Sequence, residues 1–129
     1  MRYLGIDYGA KRVGVALSDG AGNFAYPLSV LENTEDLLSV IVKLCKENNV
    51  GTVVVGESKD FSQKENDIMR EIKPFVKSLE DRTGLKVFMH PEFMTSMEAE
   101  HIQVYNDMHD ASAAALILKS YLDTNNKTT

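Results

Sequence analysis

Three acidic residues lie at the ends of apolar segments, where an acidic side chain is unexpected. Asp7 ends the first apolar run, Glu92 follows the His90–Pro91 step after a later run, and Asp110 begins the last helical stretch. A carboxylate close to a core is unfavourable unless it is paired, hydrogen-bonded or bound to a cation. If the three acids meet, their repulsion calls for a divalent ion, and an all-oxygen ligand set suits Mg²⁺ or Mn²⁺ better than Zn²⁺. Two such ions would form the clamp that phosphodiester hydrolases use.

Each acid also has a simpler explanation when it is considered alone. Asp7 could form a salt bridge with Lys11 or Arg12, Glu92 could be a solvated loop residue, and Asp110 could cap a helix. Asp110 heads a helical stripe that is otherwise apolar, which predicts that it faces the sheet. The members of that stripe are Asp110, Ala114, Ile117, Leu118 and Tyr121. We therefore expect the three acids to converge and not to act separately.

The charge pattern favours a cation in the same region. The net charge is -5, which argues against a partner gripped by a basic surface. No Lys or Arg occurs from Val87 to Leu118, whereas five acids do: Glu92, Glu98, Glu100, Asp107 and Asp110. Bound divalent ions would offset this charge and would themselves meet a phosphate. The best side chains for holding a phosphate are Lys11 and Arg12, close to Asp7, and Lys59, near a predicted helix start.

The histidines leave a second metal chemistry open. His90, Glu92, His109 and Asp110 could together form a transition-metal site, since imidazole favours Zn²⁺ or Mn²⁺. Cys45 is the only cysteine, so no internal disulfide can form and a reducing compartment is expected. The sequence shows neither a signal peptide nor an apolar stretch of spanning length, which predicts a cytoplasmic protein without a membrane partner.

The elements that must position these residues fall into two parts. Three β-like runs come first, Arg2–Asp7, Arg12–Ser18 and Phe24–Leu31, and short glycine-containing segments join them into an antiparallel meander. Helices and strands alternate after that. The predicted order is a helix from Thr34 to about Asn48, a strand Thr52–Val55, a helix from Ser62 to Gly84 bent at Pro74, a strand Lys86–His90 closed by Pro91, a short helix from Thr95 to about Val104, and a last helix from Asp110 to Leu122.

This order predicts an α/β fold: one mixed sheet, with three antiparallel strands followed by parallel ones, and with helices on both faces. We expect residues 1–123 to form a single domain, because no linker or repeat interrupts them. The polar residues 124–129 are expected to fray.

Four segments of the chain resemble the YqgF family of ribonuclease H-like proteins. They are GIDYGAKRVGVALSD near the start, VVVG at residues 53–56, PEFMTSMEAE at residues 91–100 and HDASAAALILKSYL at residues 109–122. Family members are described as candidate Holliday junction resolvases and candidate pre-16S rRNA processing nucleases. The resemblance implies a ribonuclease H-like fold and an acidic triad at Asp7, Glu92 and Asp110. It further implies metal-dependent hydrolysis, by water, of a structured RNA or a branched DNA.

The chain departs from the family pattern at residues that would grip a substrate. Phe93 stands where the family has an arginine, Lys59 lies in a stretch that replaces a Leu-Pro loop, and the segment before His109 is short. The alternative is therefore a catalytically weakened module of the same fold that binds nucleic acid or a protein partner. A resolvase that cuts two symmetric strands would need a homodimer, but the sequence shows no dimer face.

Overall fold

A computed structural model describes residues 1–58, 67–92 and 109–126 of the chain. The described strands form one five-stranded sheet in the order β3-β2-β1-β4-β5. The elements are β1 (Arg2–Tyr8), β2 (Arg12–Ser18), β3 (Ala25–Glu32), α1 (Leu37–Glu47), β4 (Val50–Ser58), α2 (Asp67–Thr83), β5 (Lys86–Glu92) and α3 (His109–Asn126).

The sheet is mixed, as the element order predicts. β1 pairs with β2 and β2 pairs with β3 in antiparallel register, whereas β1 with β4 and β4 with β5 are parallel. The first hairpin is tight, because a Cβ on Gly9 would overlap the carbonyl oxygen of Arg12. The predicted meander and the mixed sheet are both confirmed.

Helices cover both faces of the sheet, and the strands have two apolar sides for that reason. On one face, Leu4, Ile6, Val13, Val53 and Val55 pack with residues of α1 and α2. On the other face, Ala16 and Val54 pack against α3. Successive side chains of a strand point to opposite faces, so the unbroken run Val53–Val55 serves both cores.

Several boundaries differ from those predicted from the sequence. The N-cap position of helix α1 is Asp36, whose side chain makes no capping hydrogen bond, and not Thr34 as predicted. Thr34 lies in the preceding turn, where its carbonyl oxygen accepts the N–H of Leu37 at 3.1 Å and its Oγ1 accepts the N–H of Asp36 at 3.3 Å. Strand β5 continues through Pro91 to Glu92, because an edge strand tolerates the missing N–H of proline and β5 is the last strand of the described sheet. Helix α3 continues to Asn126, four residues beyond the predicted end at Leu122.

A proline lies inside α2 and a glycine follows its end, as the sequence predicts. Pro74 lies inside α2, and Gly84 follows its end with a φ of 71°, the left-handed conformation that favours glycine after a helix. The predicted helix start at Ser62, the short helix from Thr95 to Val104 and residues 127–129 of the polar tail lie outside the described residues. In the three described ranges, no helix is long and apolar enough to cross a membrane.

Cys45 provides a test of the core beneath α1. Its side chain is buried, and burial raises the pKa of the thiol from 9.0 to about 11. A thiol-specific disulfide reagent at pH 8 should therefore react at least about 100-fold more slowly with the native protein than with the unfolded chain. The same raised pKa predicts that stability falls as the pH rises from about 9 through about 11. Rapid labelling of native protein would contradict this packing of Cys45.

Candidate metal and nucleic-acid site

The carboxyl ends of the parallel strands lie at one edge of the sheet, called here the carboxyl edge. Strand β1 ends at Tyr8, immediately after Asp7. Strand β5 ends at Glu92, which is paired in register with Ser58 at the end of β4. The fold thus brings the backbones of Asp7 and Glu92 to the same edge, where open α/β sheets bind ligands.

Asp7 lies on the face of the sheet that α3 covers. Tyr3, two pairs of residues earlier in β1, contacts Tyr121 of α3 with ring centroids 6.0 Å apart. A Cβ on Gly5 would lie 2.8 Å from Cβ of Leu118. Because side chains two apart share a face of a strand, Asp7 lies on the α3 face with Tyr3 and Gly5.

Glycines flank Asp7 on both neighbouring strands. Gly14 of β2 is its antiparallel partner, and Gly56 of β4 lies one step beyond the parallel pair Ile6–Val55. Both glycines are buried, and both lie on the α3 face because they are two residues from Ala16 and Val54. Neither adjacent strand therefore places a side chain on the α3 face at the level of Asp7, whose own side chain is half-buried.

Helix α3 runs back along β1 toward the same edge. Residues Ala114 and Leu118 lie over Gly5, and Tyr121 lies over Tyr3, so earlier helix residues correspond to later strand residues. Asp110 precedes Ala114 by about 6 Å of helix rise, and Asp7 follows Gly5 by about 7 Å of strand. The first turn of α3, which contains Asp110, is therefore directed to the level of Asp7.

The backbone positions of Asp7, Glu92 and Asp110 lie toward one edge of the sheet, and the convergence of their carboxylates remains a prediction. The side chains of Glu92, His109 and Asp110 lie outside the described part of the structure. Among the side chains that are described, no group of three His, Cys, Asp or Glu could hold a metal ion. Of the predicted site, the structure describes the side chain of Asp7 and the glycines that flank it.

Asp19, another acid in the first two hairpins, is accounted for by local hydrogen bonds. Its Oδ1 accepts the backbone N–H groups of Asn23 at 2.8 Å and Phe24 at 3.0 Å. The hydrogen bond from Phe24 is the main cause that lowers the pKa of Asp19. Asp19 therefore has a structural role in the turn between β2 and β3, unlike Asp7, which is predicted to bind a metal ion.

Lys11 and Arg12, the predicted phosphate contacts, are exposed in the hairpin that follows Asp7. That hairpin is held by Asn33, a residue not singled out in the sequence. Its side-chain Nδ2 donates to the carbonyl oxygen of Gly9 at 2.8 Å, and its backbone N–H donates to that of Lys11 at 2.9 Å. Lys59, the third predicted contact, lies outside the described residues.

Replacing Asn33 with Ala should loosen the hairpin that carries Lys11 and Arg12. We expect a loss of about 1 kcal/mol in the free energy of unfolding and about tenfold weaker nucleic-acid binding if one charged contact is lost. Asn48→Ala is the matched control, because Asn48 Nδ2 also donates to a backbone carbonyl, that of Leu44 at 2.9 Å, but at the end of α1. Denaturant titration and filter binding measure both effects, and equal losses of binding in the two variants would contradict a role for the hairpin.

The transition-metal alternative also remains a prediction. His90 lies on β5 with its Nε2 2.9 Å from Oγ of Ser120 in α3, so its described partner is a hydroxyl group. The side chains of Glu92, His109 and Asp110, which would complete a zinc site, lie outside the description. Among the described side chains, His90 belongs to no group of His, Cys, Asp or Glu that could hold a metal ion.

Comparison with known proteins gives the same fold and a consistent family. A family model described as "RuvX: Holliday junction resolvase" matches residues 1–124. A relative from Nitratidesulfovibrio vulgaris (strain DSM 19637 / Miyazaki F), named "Putative pre-16S rRNA nuclease", is 34% identical over 125 residues, covering 95% of this chain and 84% of its own length.

Solved structures of low sequence identity share the fold of this chain. The structure of Thermus thermophilus RuvC matches with a TM-score of 0.65 at 16% identity, covering 99% of this chain and 98% of that one. RuvC of the same organism in complex with a Holliday junction substrate matches with a TM-score of 0.63 at 14% identity, covering 98% and 96% of the two chains. At these identities the likeness shows a shared fold, and it confirms the predicted ribonuclease H-like architecture.

Proposed function

The chain belongs to the RuvX (YqgF) family of nucleases related to Holliday junction resolvases, and from that premise we propose that it is a metal-dependent endonuclease. Its reaction is hydrolysis of phosphodiester bonds in structured nucleic acid, either precursor 16S rRNA or a Holliday junction. The observation that carries this proposal is the position of Asp7 at the carboxyl edge of the sheet, on the face that α3 covers and between two glycines of the neighbouring strands.

In this proposal Asp7, Glu92 and Asp110 hold one or two Mg²⁺ or Mn²⁺ ions. The donor set fits these ions, because all three residues supply carboxylate oxygens, which hard cations prefer. When bound, the ions would stabilise the charge that develops on the phosphate and activate water as the attacking group. The protein's own contribution is to orient the acids from β1, β5 and α3, while Lys11, Arg12 and Lys59 bind flanking phosphates.

The remaining parts of the proposal follow from the same premise. Nucleic acid is the partner, which is supported by the presence of a junction substrate in the complex of the structurally similar RuvC. Residues 1–123 act as one domain, as a monomer or as a homodimer that acts on symmetric strands. The cytoplasm is the proposed compartment, supported by the single buried cysteine.

A binding module without catalysis is the second candidate, and a specific observation favours it. Phe93 replaces the family's arginine, and no Lys or Arg occurs from Val87 to Leu118. Such a module would retain the fold and bind nucleic acid or protein without hydrolysis.

The deciding experiment offers the wild-type chain a four-way DNA junction and a precursor 16S rRNA fragment, each with Mg²⁺, with Mn²⁺ and with EDTA. Metal-dependent cleavage of either substrate supports the nuclease and identifies its substrate. Cleavage of neither substrate, together with retained binding, would favour the module.

A further inference from the structure

Four aromatic side chains from α3, β5 and β1 form a cluster on the α3 face of the sheet, called here the aromatic cluster. Tyr121 of α3 is its centre. The ring of Phe88 stacks beside it at 5.9 Å between centroids and 26° between planes. The imidazole of His90 meets it edge-on at 6.0 Å and 88°, and Tyr3 packs on it at 6.0 Å.

Part of this cluster faces solvent. Phe88 is 41% exposed, although it lies on a strand whose neighbouring residues Val87 and Met89 pack into the opposite core. His90 and Tyr121 are half-buried. The hydrogen bond between His90 and Ser120 fixes the imidazole against α3. The cluster therefore supports the ring of Phe88 from α3 while leaving part of that ring exposed.

The aromatic cluster lies on the same face of the sheet as Asp7 and leads to the carboxyl edge. His90 pairs with Gly56, and Gly56 lies beside Asp7, so Asp7 and His90 are separated by about 10 Å, two strand spacings. Phe88 precedes Glu92 by four residues in β5, about 13 Å along the strand. That distance corresponds to about four stacked nucleotides at 3.4 Å per base step.

No Lys or Arg occurs from Val87 to Leu118, and the lysines that border this range are Lys86, two residues before Phe88 on β5, and Lys119 of α3, which is paired with Asp123 at 2.7 Å. Stacking on an aromatic ring needs no charge and works with every base, because each base has a π-face. Burial and the neighbouring Tyr3 raise the pKa of Tyr121, so its phenol stays neutral and adds no repulsion toward phosphates.

We propose that Phe88, supported by Tyr121 and His90, stacks an unpaired base of the nucleic acid about four nucleotides from the bond at the carboxyl edge. The proposal deepens the proposed nuclease function and rests on it. An unpaired base fits better than a second copy of the chain. An aromatic side chain buries about 150–250 Å² at most, whereas a stable dimer needs about 800 Å² from each partner.

The test uses a single-stranded DNA of twelve nucleotides that contains one 2-aminopurine, whose fluorescence is quenched by stacking. The chain contains no Trp, so the probe can be excited without background from indole. Measurements in EDTA record binding without cleavage. We expect quenching by the wild type and by Phe88→Tyr, and loss of quenching with about 5- to 150-fold weaker binding for Phe88→Leu.

Phe24→Leu is the matched control, because Phe24 is also exposed but lies between β2 and β3, at the opposite edge of the sheet. Unchanged quenching in Phe88→Leu, or equal loss in both Leu variants, would overturn the proposal. A wild-type dimer in sedimentation that becomes monomeric only in Phe88→Leu would also overturn it, by assigning the cluster to a second copy. Absence of metal-dependent cleavage with quenching intact would refute the nuclease function and leave the stacking site standing.

Discussion

Asp7→Asn should abolish metal-dependent cleavage while leaving the fold in place. Loss of residues that merely orient metal ligands costs about 10- to 100-fold, so removing a carboxylate ligand should lower the cleavage rate by about 100-fold or more. Asn has nearly the same shape as Asp and retains one oxygen, but it lacks the negative charge that holds a divalent cation. Cleavage of the junction and the rRNA fragment in Mg²⁺ and Mn²⁺ measures the effect.

Calorimetry with Mn²⁺ distinguishes a loss of metal-ion binding from a loss of substrate binding. Wild type should bind the ion and Asp7→Asn should not, whereas the two proteins should unfold at similar denaturant concentrations. Asp81→Asn is the matched control, since Asp81 is an exposed acid in the last part of α2, far from the carboxyl edge. Cleavage that survives in Asp7→Asn would point to a contaminant or to another site.

Gly5→Ala should be the most destabilising of the conservative substitutions, because α3 crosses β1 at this glycine. An added Cβ would lie 2.8 Å from Cβ of Leu118 and 2.9 Å from the carbonyl oxygen of Ala114. Neither atom can be removed by a rotamer change, so the helix must move away from the sheet. Overpacking of this kind costs about 2–3 kcal/mol, and denaturant unfolding would measure it.

Gly20→Ala provides a control that changes the same residue type. A Cβ on Gly20 would meet nothing within 4 Å, so its free energy of unfolding should stay within about 0.5 kcal/mol of wild type. Because α3 carries Asp110, Gly5→Ala should also reduce cleavage at denaturant-free conditions, and Gly20→Ala should not. Equal stability of the two variants would contradict the close approach of α3 to β1.

Much of the fold could be predicted from local patterns. The apolar runs and the glycine segments between them specify the meander β1–β3, and helical periodicity specifies α1, α2 and α3. The ends of elements were harder to predict. Thr34 is a good capping residue, yet the helix begins after Asp36, and Pro91 is a strand breaker that β5 accommodates at its position on the edge. Those outcomes depend on neighbours that are distant along the chain.

The candidate site divides in the same way. The sequence by itself determined which residues are candidates for the chemistry: Asp7, Glu92 and Asp110 are predicted from their type, from their positions beside apolar segments and from the family motif. Only the tertiary structure decided what surrounds them. Gly14 and Gly56 become the neighbours of Asp7 through strand register, Asn33 ties the basic hairpin across 24 residues, and Phe88 meets Tyr121 through the crossing of α3. Residue type is a local property, whereas register and helix crossing are fixed by the burial of whole faces at once.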